Sequence, residues 1–243
     1  GIGVAPGQGA WLAELLPTGA TAFRLPRVHL GLPQPGLPCT GVDRGQRLAL
    51  LHPGIGSPLA AALLEETIAM GVGRFVACGG CGSLCKGTDV GHLIVVSSAV
   101  RAGGTSFPYL APGREIPADP AALHALTSVL DEKGLPYVVG KTWTTDAPYR
   151  ETAAIIRKRR DEGCVAVEME AAAMMAVAQV RGVPFAQILY AGDDLSGTEW
   201  DRRGWQSRTD VREQLFWLAA DAVLAAEGWR ELSSVSVVRP DAR

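Results

Sequence analysis

Long apolar runs are missing from this chain of 243 residues. No stretch approaches the roughly 20 residues that a membrane-spanning helix needs, and no secretory signal peptide is visible. Runs of one charge are missing as well. The formal net charge is -2, and the densest basic stretch, Ile156-Arg157-Lys158-Arg159-Arg160, is followed at once by Asp161-Glu162. At helical spacing that pattern is a solvated face, so neither nucleic acid nor a membrane is an expected partner. The five cysteines are odd in number and unevenly spread, which makes no disulfide framework. Such usage fits a reducing compartment, and the default expectation is a soluble cytoplasmic protein. No internal repeat or low-complexity linker divides the chain, so residues 1–243 are expected to form one domain with a substantial core.

Short β-like runs alternate with helical stretches. Strands are expected at residues 47–51, 74–78, 93–97, 137–139, 164–167 and 185–191. Helices are expected at 59–70, 120–133, 147–160, 170–181 and 205–227. Ser57-Pro58 supplies an N-cap and a first-turn proline, while Gly71, Gly134 and Gly182 supply stops. Strands separated by helices of this length predict a mixed α/β domain with a largely parallel sheet. Ligands in such sheets sit at the carboxyl ends of strands, here the loops after Leu51, Cys78, Val167 and Tyr190.

One of those loops invites a metal or redox reading. Cys78-Gly79-Gly80-Cys81-Gly82-Ser83-Leu84-Cys85-Lys86-Gly87 has the first half of a zinc site, but no second CxxC exists and the nearest histidine is His92. A redox pair wants a helix start after the first cysteine, and the glycines make a poor one. A Walker loop fails because Lys86-Gly87-Thr88 reverses glycine and lysine. What remains is a strand ending in a glycine turn, where a ligand can approach backbone amides. The cysteines are then expected to fill small buried volumes and carry no chemistry.

Four strand-end segments occur in an order that resembles the nucleoside phosphorylase superfamily. Leu51-His52-Pro53-Gly54-Ile55-Gly56-Ser57-Pro58 is similar to its "GIGxPS" turn. Phe75 to Leu84 is similar to its central glycine loop, followed by Asp89-Val90-Gly91-His92-Leu93-Ile94-Val95 in place of "VGDIVV". Val167-Glu168-Met169-Glu170-Ala171-Ala172-Ala173 matches "VEMEAAA", and Leu189-Tyr190-Ala191-Gly192-Asp193-Asp194 resembles the strand that delivers an aspartate to the base. The resemblance implies a three-layer α/β/α domain around a central mixed, largely parallel sheet. It further implies one nucleoside site, no cofactor or metal, inorganic phosphate as a co-substrate, and homo-oligomers, either dimers or hexamers.

Cleaving an N-glycosidic bond builds positive charge on the sugar and negative charge on the departing base, which carboxylates and an acid can serve. By resemblance, Glu170 takes hydrogen bonds from the ribose hydroxyls, Met169 packs against the sugar, and His52 lies on the sugar side. Val167, Glu168, Thr145 and Tyr149 line the base, and Asp193 protonates or hydrogen-bonds a purine-like base. Gly54, Gly79, Gly80 and Arg101 make a weak anion site. Read from the residues alone, Glu168 and Glu170 are equally solvent-facing strand-end carboxylates, Asp193-Asp194 caps a turn, and His52 is a turn residue.

The sequence also departs from that family. Its phosphorylases carry an arginine and a serine or threonine where Ala77 and Gly80 stand here. They carry another arginine in an N-terminal loop, matched here by Pro6-Gly7-Gln8-Gly9-Ala10-Trp11. Arg101, Arg114, Arg150 or a neighbouring subunit's arginine is the expected replacement. Hydrolytic relatives use a glutamate to position water, and Glu14 falls several residues late for that role. Three readings stand: a phosphorylase, a nucleosidase that uses water, and a non-catalytic nucleoside-binding protein. The segments 149–152 and 194–201 are features of a distinct subgroup.

Overall fold

The computed structural model describes residues 9–14, 39–43 and 46–225. In chain order the elements are β1 (Gly9–Glu14), β2 (Cys39–Asp43), β3 (Gln46–Leu51), α1 (Ser57–Ala69), β4 (Phe75–Ser83), β5 (Leu93–Ala102) and β6 (Glu115–Pro117). There follow α2 (Pro120–Glu132), β7 (Tyr137–Thr145), α3 (Ala153–Asp161), β8 (Cys164–Glu168), α4 (Ala171–Arg181), β9 (Phe185–Asp194) and α5 (Thr209–Leu224). Helix starts follow local chemistry. Asp119 accepts the Ala122 amide at 2.8 Å ahead of Pro120, and α4 stops at Gly182 in the left-handed conformation.

The strands form one mixed sheet in the order β2-β3-β1-β4-β8-β7-β5-β6, with β9 between β4 and β5. Pairing therefore runs β4-β8-β7-β5-β9 and back to β4, which curls part of the sheet into a closed barrel. Residue alternation assigns the two faces. Phe75, Ala77 and Cys81 of β4, with Phe185, Leu189 and Ala191 of β9, join the core under α1 and α4. Val76 and Cys78, with Ala186, Ile188 and Tyr190, join the core under α2 and α5. The result is the expected three-layer α/β/α domain, with helices on both faces of the curled sheet. A third, smaller cluster seats Ile155 and Ile156 of α3 against Trp143, Val167 and Leu195.

Several elements differ from the sequence reading. β4 does not end in a turn at Cys78; it continues through the glycines to Ser83, and Gly79, Gly80 and Gly82 all keep negative or extended φ. Their lack of a side chain serves close approach instead. A Cβ on Gly82 would lie 2.5 Å from Leu195 Cδ1 and 2.8 Å from Val167 Cγ1. At this point β4 shifts register against β9, and Gly82 and Ser83 pair antiparallel with Val167 and Ala166 of β8. The expected helix at 147–160 is a 3-10 turn, Pro148–Arg150, followed by a break and then α3. The last helix likewise begins with a separate turn, Trp205–Ser207. Trp11, expected in a loop, lies in β1 beside Ala49 and Phe75, while Pro6, Gly7 and Gln8 lie outside the described residues.

Candidate active site

The junction of β8 and α4 concentrates buried charge. Glu168 is 7% exposed and Glu170 6%. Glu168 accepts the Thr144 hydroxyl at 2.5 Å and the backbone amides of Glu170 and Ala171 at 2.7 and 2.6 Å, with a further hydrogen bond from the Gln187 side chain. Thr144 in turn accepts the Ala172 amide at 2.9 Å. Glu168 thus satisfies the free amides that begin α4, where the helix dipole favours an anion. Burial still pushes its carboxyl upward, against the pull of those hydrogen bonds.

Glu170 accepts the Gly56 amide at 2.5 Å, and the Ser57 hydroxyl donates to the Met169 carbonyl at 2.7 Å. The turn before α1 is therefore clamped onto residues 169–170, although more than a hundred positions separate them. Burial first, and the Glu168 charge second, raise the Glu170 carboxyl from 4.5 to about 7.

Two cavities meet here. The larger, about 880 Å³, has a floor of Gly80, Cys81, Gly82, Val167 and Met169, with Asp193 at its side. The smaller, about 20 Å³, is bounded by Pro53, Gly79, Glu170 and Gln187. Gly80 and Glu168 belong to both. Among the described residues lining the small cavity there is no lysine or arginine, and the buried Gln187 Oε1 has no hydrogen-bond partner.

Asp193 and Asp194 divide their work. Asp194 Oδ1 accepts the Ser196 amide at 2.7 Å and caps a turn, whereas Asp193 faces the large cavity. A backbone bridge between Asp194 and Asp201 folds the intervening loop back, so that Trp200 Nε1 donates to Asp193 Oδ2 at 2.6 Å. Arg203 holds the returning chain through the carbonyls of Gly192 and Thr88.

Of the residues expected from sequence, Val167, Glu168, Met169, Tyr149 and Asp193 line the large cavity, and Gly79, Gly80, Glu168 and Glu170 the small one. Tyr149 stands at the rim, 99% exposed. The others are placed elsewhere. Thr145 lines neither cavity, and its hydroxyl accepts the Ala147 amide at 3.1 Å. His52 Nδ1 accepts the Gly54 amide at 3.0 Å within the turn, and neither residue lines a cavity. Arg101 is buried away from both, its guanidinium donating to Ser106, Leu110 and Ala111 and lying over the Phe107 ring. Arg114 is held by Glu162. Thr144, Glu151, Gln187 and Trp200 were not singled out as site residues. Thr144 sits one residue from a residue that was, while Glu151 and Trp200 lie in the segments 149–152 and 194–201, marked as subgroup features without a role.

Among the described side chains, Cys78, Cys81, Cys85 and Cys164 are free thiols. Cys78 and Cys81 point into cores on opposite faces of β4, and the Cys81 thiol is pushed upward by burial and then by the charges of Asp193 and Glu168. Among the described residues, no group of three or more potential ligands could hold a metal ion.

This arrangement matches known proteins over most of its length. A family profile described as "Phosphorylase superfamily" matches residues 29–224. The chain belongs to the phosphorylase superfamily. Within it, a guanosine phosphorylase from Halorubrum lacusprofundi is 33% identical over 189 residues, 74% of this chain and 77% of that protein. A purine nucleoside phosphorylase, DeoD-type, from Bacillus cereus is 28% identical over 224 residues, 90% of each. The crystal structure of an AMP nucleosidase from Bacteroides thetaiotaomicron superposes with a TM-score of 0.63 over 78% of this chain and 75% of that one, at 23% identity, and speaks to the fold alone.

Proposed function

We propose that this member of the superfamily cleaves the N-glycosidic bond of a purine nucleoside. The observation that carries the reading is the convergence of Met169, Asp193 and the Glu170-lined small cavity on one recess large enough for a nucleoside. In this reading Glu170 accepts the sugar hydroxyls and Met169 supports the ring. Val167 and the backbone of Glu168 flank the base, and Asp193 assists its departure. Membership of a homo-oligomer, dimer or hexamer, belongs to the same proposal.

Phosphate is the proposed acceptor, supported by the relatives at 33% and 28% identity, which are named as phosphorylases. A second reading, with water as acceptor, has its own observation. The small cavity of about 20 Å³ has room for roughly one water, which needs about 10–15 Å³. It offers Gln187 and Glu170 as partners and no cation among its described lining. In the β1–β4 ladder Glu14 pairs with Cys78, directly before the glycines.

Asp193→Asn tests the assignment of the base side. Loss of the Asp193 carboxylate from the base side is expected to lower kcat for base release from inosine or guanosine by about 10²-fold or more, with nucleoside binding retained. An Asp193→Asn enzyme with unchanged kcat would remove Asp193 from the mechanism.

A further inference from the structure

Glu151 has no part in the roles above, yet the stretch Tyr149-Arg150-Glu151-Thr152 delivers its carboxylate to the large cavity that Asp193 also lines. Glu151 closes the turn Pro148–Arg150, its amide donating to the Pro148 carbonyl at 3.3 Å, and the chain then breaks before α3. The break turns its half-buried side chain into the cavity that Asp193 lines from β9. No side-chain or backbone donor among the described residues hydrogen-bonds the Glu151 carboxylate. Asp193 differs, since Trp200 occupies its Oδ2.

The charged groups around Glu151 come from every wall. Asp193 and Glu168 lie on β9 and β8, Glu199 on the returning loop, Lys86 after β4, and Arg157 and Arg160 on α3. Arg160 is engaged with the Ser196 carbonyl at 3.1 Å, and none of these cations forms an ion pair with Glu151. A carboxylate with no cation partner, lining the same recess as Asp193, is arranged to keep a proton rather than to sit solvated.

We infer that Glu151 is a second acid–base residue of this site, holding the proton that the departing base takes up, while Asp193, tied to Trp200, orients the ring. In the cleavage step the C1′–N bond breaks, its electron pair passes to the base, and an oxygen of the acceptor, phosphate in the proposed reaction, forms the new bond to C1′. The Glu151 O–H bond breaks as a base N–H bond forms, and Glu151 is left as a carboxylate. It regains a proton from solvent once the base has left. Burial, and then the Asp193 charge, support this by raising the carboxyl from 4.5 to about 7, close to the pH at which a general acid works best.

This inference rests on the proposed nucleoside cleavage, and the experiment separates the two. The full chain is assayed for base release from inosine and guanosine, with phosphate present, from about pH 5.5 to about pH 9. The wild type is expected to lose kcat as pH rises through about 7. Glu151→Gln is expected to lower kcat about tenfold or more, change KM little and abolish that alkaline limb. Glu151→Asp, which keeps an acid, is expected to retain the limb at lower rate. An active wild type whose Glu151→Gln variant keeps both kcat and the limb overturns the Glu151 assignment alone. A wild type that releases no base overturns the function and this inference with it.

Discussion

At the scale of the residue, the site is built from carboxyls whose burial outweighs their hydrogen bonds. Glu170 titrates at about 7 in the fold, against 4.5 unperturbed, so folding favours its protonated form. The stability this contributes is complete below about pH 4.5 and is lost as pH rises through about 7. Glu170→Gln removes that titration and is expected to flatten the fall in melting temperature between mildly acidic and alkaline buffers. Thermal unfolding across pH reads the difference, and a variant whose pH dependence matches the wild type would contradict it. The role of the 167–173 segment was legible because its contacts are local. Glu168 caps the helix that starts three residues later, and that geometry follows from spacing. The segments holding Glu151 and Trp200 stood out, but their placement in the site was not legible, because a 3-10 turn and a β-bridge with no periodic pattern bring them in.

At the scale of the element, β4 decides what the site can contain. Its glycines were read as a turn because glycine runs punctuate strands, yet here they let Tyr190, Val167 and Leu195 close against the backbone. A Cβ on Gly80 would lie 3.0 Å from both Cζ and Oη of Tyr190. The buried Tyr190 ring thus fills the space that a serine or threonine at this position would need. Gly80→Ser is expected to cost about 1–3 kcal/mol through overpacking, seen as a lowered melting temperature. Gly73→Ala, where nothing lies within 4 Å of the added carbon, is the control and is expected to be nearly neutral. Equal effects from the two would show that Tyr190 does not set this limit. Strands β1, β2 and β6 escaped the sequence reading for related reasons. β2 is five residues interrupted by Gly41, and β6 is three residues ended by Pro117. Their assignment comes from pairing partners that are distant in the chain.

At the scale of the molecule, strand order and curvature bring together what the sequence spaces far apart. At its end β4 shifts register against β9 and also pairs with β8, and the cavity opens at that crossing, between the α4 start and the loop that returns through Trp200. The alternation of strands and helices made the three layers legible, and the ordered motifs made the family legible. Closure of the barrel was not, because ladders such as β4 to β8 and β5 to β9 join strands that no local pattern pairs. The same long-range packing leaves Arg101, an expected anion ligand, organising the loop at 106–111 instead. The reaction proposed for this recess is cleavage of the bond between a purine and its sugar. The measurement that tests it most directly is chromatographic detection of free base from a panel of purine and pyrimidine nucleosides, with and without phosphate. Release from purine nucleosides, dependent on phosphate, is expected; release without phosphate would transfer the reaction to water, and no release from any nucleoside would overturn nucleoside cleavage itself.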